Sequence, residues 1–263
     1  LGGLFYNLGR KVGPKVRKAK WMWQSIAGSE SDAIKAEYEV GLDLAREIRR
    51  QLGHERAPIL PKDCKMGTQP QPHTDEILNE IGGRLARCVA NKLRKFSFET
   101  FNSPEPNAFA LPGGFVFVTK SLVELCRYDH DEIACILAHE MAHIMRGHAM
   151  NRIVSNSTIA AVSRAAPIRG ALSGWLRRVG VQFLESAYSQ DMESEADRLG
   201  VRLVAAAGYD PRACLQLFSR LAELKSHPGE FDLGSYFSSH PPFNVRIDNI
   251  KRQLRKHRQQ ARQ

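Results

Sequence analysis

An α+β domain, mostly helical with one small sheet, is the fold class that the patterning predicts, and three observations carry it. Apolar residues recur at helical spacing over most of the chain, short strand-like runs lie between Phe96 and Lys120, and everything after Ser121 reads as helix and loop. The 263 residues suit one large domain or two small ones, and 43% hydrophobic residues are ample for a buried core. No internal repeat is visible.

Taken in order, the chain opens with Leu4, Phe5, Leu8, Val12 and Val16 beside a basic cluster that ends in Trp21-Met22-Trp23. Basic charge next to aromatic bulk is what an interfacial membrane anchor uses, so residues 1–23 are a candidate for peripheral membrane contact. Gly13-Pro14 interrupts any continuous helix there, and an arm packing on its own domain is the competing expectation. From Ser31 to Leu52, Ile34, Tyr38, Leu42, Ala45, Ile48 and Leu52 mark a scaffold helix stopped by Gly53. Ala57 to Pro72 is proline-rich and reads as a loop, after which Ile77, Ile81, Leu85 and Cys88 mark a second helix. Phe96, Phe98 and Thr100, then Ala108 to Leu111, then Phe115 to Val118 are short strands punctuated by Pro104, Pro106 and Pro112-Gly113-Gly114. Phe243, Ile247, Ile250 and Leu254 form a last packing stripe. The division expected is a basic aromatic arm over 1–30, a main domain over 31–250 and a basic tail over 251–263.

The formal charge of +10 sits at the ends: residues 1–20 and 251–263 each carry six basic side chains and no acid, which leaves the middle at about −2. No motif that reads RNA or DNA accompanies those tails, so no nucleic acid is expected. The five cysteines are scattered, odd in number and without CxxC spacing, which argues against a disulfide framework and a thiolate metal site. Cys88 and Cys135 are expected on apolar helix faces as small hydrophobes. No run reaches the roughly 18 apolar residues of a spanning helix. The longest candidate, Ile153 to Tyr188, is broken by Arg164, Arg169, Arg177 and Arg178.

The chemistry concentrates in His139-Glu140-Met141-Ala142-His143, an HExxH pattern on an apolar helix predicted over Ile133 to His148. Positions i and i+4 differ by about 40° around a helix, so both imidazoles leave one face and can reach one ion. Glu140 lies about 100° from His139, where its carboxylate approaches a water on that ion, the general-base position. A third ligand is needed, and His148, His240 and a downstream carboxylate compete for it. His148, about 140° round from His143, points away unless the helix breaks, and reads as a helix-end residue. In Glu193-Ser194-Glu195-Ala196-Asp197, Glu193 and Asp197 share a helix face, so one can bind a metal while the other accepts the second N–H of a ligating histidine. Glu195 points elsewhere, to solvent.

His139–His143, Glu193–Asp197, Asn107-Ala108-Phe109-Ala110-Leu111-Pro112-Gly113-Gly114 and Ser239-His240-Pro241-Pro242 together resemble the gluzincin zinc metallopeptidases, the group that includes HtpX, BepA, the CaaX prenyl protease and the mitochondrial overlapping-activity protease. The likeness runs over about residues 75–250 and takes in four motifs in order. It implies a zincin-like fold whose edge strand borders the active-site cleft, and one Zn2+ per chain held by His139, His143 and Glu193. It implies further that Glu140 is the catalytic base, that Asp197 supports a ligand, and that His240 either donates to the tetrahedral intermediate or takes a fourth metal position. The strand containing Gly114, Phe115, Val116 and Phe117 resembles the edge along which such peptidases align substrate.

The activity so implied is zinc-dependent hydrolysis of peptide bonds in extended or misfolded protein segments, as in protein quality control, with proteins or peptides as partners and a cell-envelope or membrane-associated setting. The rival is a self-inhibited, zinc-bound binding or chaperone-like protein in which His240 closes the metal to water.

Overall fold

The computed structural model of the protein describes residues 30–51, 74–155, 188–226, 240 and 243–260. The sequence expectations for residues 1–29, the loop over 57–72, most of 153–188 and Pro241-Pro242 lie outside them.

Chain order is α1 (Glu30–Gln51), α2 (Thr74–Arg87), β1 (Ser97–Phe101), β2 (Ala108–Leu111), a single 3-10 turn at Pro112–Gly114, β3 (Phe115–Thr119), α3 (Lys120–Leu125), α4 (His130–Met145), α5 (His148–Ser155), α6 (Gln190–Ala206), α7 (Arg212–Ser226) and α8 (Phe243–Gln260). The α+β class and the predicted element positions agree with this order to within a residue or two at most ends.

The sheet has the order β1-β3-β2, with β1 parallel and β2 antiparallel to β3. Phe115, Val116 and Phe117 therefore belong to the central strand and Gly114 to the turn that leads into it, which corrects their assignment to an edge: both sides of β3 are spent on neighbouring strands, and β2 is the edge packed against α4. The strands' period of two serves two cores. Phe109, Leu111, Phe115 and Phe117 face a cluster built on Val40, Leu44 and Ile48 of α1. Ala108, Ala110, Val116 and Val118 face the larger cluster of α2, α4, α6 and α7. Small residues on that second face let the HExxH helix lie close to the sheet.

Helix α4 is buried on all sides from Glu132 to Ile144, as its nearly unbroken apolar sequence requires. Asp129 caps it, its side chain accepting from the backbone N–H groups of Asp131 and Glu132. It ends three residues earlier than predicted, because Gly147 takes φ +69, a left-handed conformation suited to glycine, and α5 restarts at His148. Cys135 of α4 and Cys214 of α7 form a disulfide with Cα atoms 5.3 Å apart, which overturns the free-thiol reading of Cys135. The two residues are 79 apart in sequence, and only the packing of α4 on α7 makes them neighbours. Cys88 is exposed rather than buried, its Sγ 3.4 Å from the carbonyl of Ala206.

Helix α6 crosses α4 at Gly200, where an added Cβ would stand 3.3 Å from the backbone N and Cα of His139. Glycine sets how near the two helices come, and with it the reach of Glu193 and Asp197 toward the histidines. Gly200→Val is expected to cost about 1–3 kcal/mol through overpacking, read as a lowered midpoint in urea unfolding; an unchanged midpoint would contradict this close approach.

Candidate metal centre

His139, His143, Glu193 and His240 each place one donor atom so that all four lie within 4.8 Å of one another. The two imidazoles come from adjacent turns of α4, the carboxylate from the first turn of α6, and His240 from just before α8. A carboxylate in the first turn also sits at the favourable end of the helix dipole. All four residues are 2% exposed or less.

The edges of this group suit a small tetrahedral ion. His139 Nε2 is 3.1 Å from His143 Nε2, His143 Nε2 is 3.2 Å from Glu193 Oε1, and His139 Nε2 is 3.6 Å from Glu193 Oε2. Bonds of about 2.0–2.2 Å to nitrogen and oxygen give tetrahedral edges of roughly 3.3–3.6 Å. Glu193 Oε2 is buried yet accepts no hydrogen bond among the described residues, an oxygen placed for a cation. Imidazole nitrogen and carboxylate oxygen are the donors a zinc-class metal takes.

The remaining atoms of the donors are held from behind. Asp197 Oδ1 lies 3.0 Å from His139 Nδ1, and Arg246 of α8 donates to Asp197 through Nη2 at 2.8 Å and Nε at 3.1 Å. Arg246 Nη1 is 3.4 Å from Glu193 Oε2, and its guanidinium lies 4.2 Å over the ring of Phe218. Burial would raise both acids, but the charge of Arg246 and the hydrogen bond from His139 outweigh it at Asp197. At Glu193 the charges of His240 and Arg246 and the hydrogen bonds from the histidines hold the carboxyl well below its usual range. Burial drives His143 well below the usual imidazole value, so the ring is neutral and has a lone pair to offer. Tyr188 stacks on that ring with centroids 3.9 Å apart.

Glu140 is 1% exposed, and its Oε1 lies 3.6 Å from His240 Nε2; His240 Nδ1 lies 2.9 Å from Glu193 Oε1. The structure thus gathers His139, Glu140, His143, Glu193, Asp197 and His240 in one place, and adds Arg246 of α8. Two expectations need correcting. His148 is not a plain helix-end residue: the break at Gly147 turns it back so that its Nδ1 lies 3.0 Å from His143 Nδ1. Glu195 is not simply solvated, since Arg146 Nε meets it at 3.1 Å and His148 Nε2 at 3.4 Å. Burial, partly offset by Glu195, pushes the His148 ring down to about 4. Gly147, four residues past His143, was the readable signal for both.

Comparison with known proteins follows the same residues. The profile of Peptidase family M48 matches residues 72–254. The chain is 33% identical over 161 residues to the mitochondrial metalloendopeptidase OMA1 of Schizosaccharomyces pombe, covering 61% of this chain and 47% of that one. It is 29% identical over 167 residues to the beta-barrel assembly-enhancing protease of Yersinia pestis, covering 58% and 33%. It is 26% identical over 174 residues to the metalloprotease LoiP of Escherichia coli, covering 64% and 67%. The chain spans about half or less of the OMA1 proteins of Schizosaccharomyces pombe, Arabidopsis thaliana and Saccharomyces cerevisiae.

Removing Arg246 leaves Asp197 and Glu193 buried without their counter-charge. Arg246→Met is expected to destabilise the metal-free protein by about 3–5 kcal/mol in urea unfolding. Adding Asp197→Asn to it should recover part of that loss; a double variant as unstable as the sum of its singles would contradict the pairing.

Proposed function

The chain belongs to peptidase family M48, and on that premise we propose that it is a zinc-dependent endopeptidase acting on extended or misfolded protein segments in protein quality control. The observation that carries the reading is the joining of His139, His143 and Glu193, from two helices, into one buried donor group with Glu140 beside it.

His139, His143 and Glu193 would hold one zinc ion. When bound, zinc supplies Lewis acidity, polarising a peptide carbonyl and acidifying water. Glu140 accepts the proton of the attacking water and passes it to the leaving amine, a transfer its position one residue past His139 allows. Asp197 keeps the proton of His139 on Nδ1 and so turns Nε2 to the metal, with Arg246 fixing Asp197 in place. His240, beside both Glu140 and Glu193, donates to the oxygen on which charge develops.

Depth of burial supports the substrate class, because donors exposed by 2% or less admit a thin extended chain before a folded surface. The outer edge of β2 (Ala108–Leu111), packed beside α4, is where such a segment would add by main-chain hydrogen bonds. For setting, a mitochondrial relative and a beta-barrel assembly-enhancing one support a membrane-associated or cell-envelope location. No described helix is long and apolar enough to cross a membrane.

A second reading draws on His240, which belongs to the same donor group: with its ring as fourth ligand the zinc is closed to water and the protein binds without cleaving. Casein hydrolysis separates the two. Wild type should cleave, and Glu140→Gln should lose at least about a hundredfold in rate while keeping one zinc per chain by elemental analysis. Zinc-loaded wild type that never cleaves, together with activity gained in His240→Ala, would establish the closed reading instead.

A further inference from the structure

His139 and His143 are supported differently. His139 has a carboxylate directly on its Nδ1, that of Asp197. Among the described residues no carboxylate meets His143 Nδ1; the atom found there is Nδ1 of another imidazole, His148, at 3.0 Å. Beyond that ring, His148 Nε2 faces Glu195 Oε2 at 3.4 Å, and Glu195 is tied to Arg146 at 3.1 Å.

A neutral imidazole has one N–H, so the protons along this row are determined once the first is fixed. For His143 Nε2 to present a lone pair beside Glu193 and His139, its proton must be on Nδ1. His148 Nδ1 must then accept, which puts the proton of His148 on Nε2, the atom facing the Glu195 carboxylate. We propose that His148 and Glu195 act as a relay of positioning residues that fixes the tautomer and orientation of His143 for metal binding.

The placement is economical in chain terms. Glu193, Glu195 and Asp197 sit at alternate positions of α6. Glu193 joins the donors, Asp197 supports one histidine directly, and Glu195 reaches the other through a ring that only the break at Gly147 delivers. His148 is 3% exposed, whereas the Glu195 side chain is 37% exposed, so the buried end of the relay is an imidazole and its charge lies near solvent.

This inference rests on the metallopeptidase reading, and zinc affinity measured by competition with a chromogenic chelator tests it apart from activity. Asparagine and leucine have nearly the same shape, but the amide oxygen of Asn falls where His Nδ1 stood. His148→Leu should weaken zinc binding roughly ten- to a hundredfold, the usual cost of losing a partner behind a metal ligand, and His148→Asn should stay within about threefold of wild type. Glu195→Ala, at the more exposed end, should weaken binding about three- to tenfold in wild type and leave His148→Asn unchanged, since Asn no longer reaches Glu195. Leu and Asn variants that fall alike, or a Leu variant that binds as wild type, overturn the relay. If His148→Leu does not fold by circular dichroism, Glu195→Ala decides, and wild-type affinity in that variant overturns it. Wild type that takes up no zinc defeats the metal reading itself, a separate result.

Discussion

Ionisable groups packed into one helix crossing are tolerable only while each charge meets its opposite and each ring nitrogen its partner. Where α4 passes α6, Glu140, Glu193 and Asp197 are all buried, and Arg246 is the buried cation among them. Among the described residues one guanidinium stands against the carboxylates of Glu193 and Asp197, and a divalent ion at the donor group would bring further positive charge to the crossing. The metal and the fold are coupled through this balance: the donors that would bind the ion are the same groups whose burial the ion makes inexpensive.

The scaffold enforces that arrangement from several directions. Gly200 removes the side chain that would part α4 from α6, and the Cys135–Cys214 bridge ties α7 to α4 one turn before His139. From α7, Phe218 provides the aromatic face on which Arg246 lies. From α8, Arg246 crosses the buried interior to reach Asp197. These contacts come from three helices, α6, α7 and α8, so the centre depends on the helical layer being assembled, and the sheet beneath α4 fixes the plane on which it assembles.

Much of this was legible in the sequence because it is local. Helical spacing marked Ile34 to Leu52 and Ile77 to Leu85, alternation marked the strands, and i, i+4 geometry put the two imidazoles, and Glu193 with Asp197, on common faces. What escaped is non-local or depends on one backbone angle. Strand order follows from which elements pack outside the sheet, which the run Gly114 to Val118 does not record; hence a central strand looked like an edge. The pairing of Cys135 with Cys214 needs two helices in contact, and no spacing of 79 residues states that. Nothing local marks Arg246 as buried: its guanidinium meets Asp197 and Glu193 only once α8 packs against α6.

His148 shows how a single residue separates the two outcomes. On a continuous helix it would lie about 140° from His143 and have no part in the centre. With Gly147 at φ +69, the chain leaves the helix after Met145 and starts another at His148, which carries the ring back against His143. An uninterrupted helix would have satisfied more backbone hydrogen bonds, and an added Cβ at 147 would meet no atom within 4 Å, so packing does not demand glycine there. What the glycine secures is the turn of the chain, and the turn's result is a buried imidazole facing a metal-binding one. The unsymmetrical support of the two histidines follows: α6 comes close to α4 at His139 and meets its Nδ1 directly through Asp197, while the Nδ1 of His143, a turn further on, is met from the helix that the break begins.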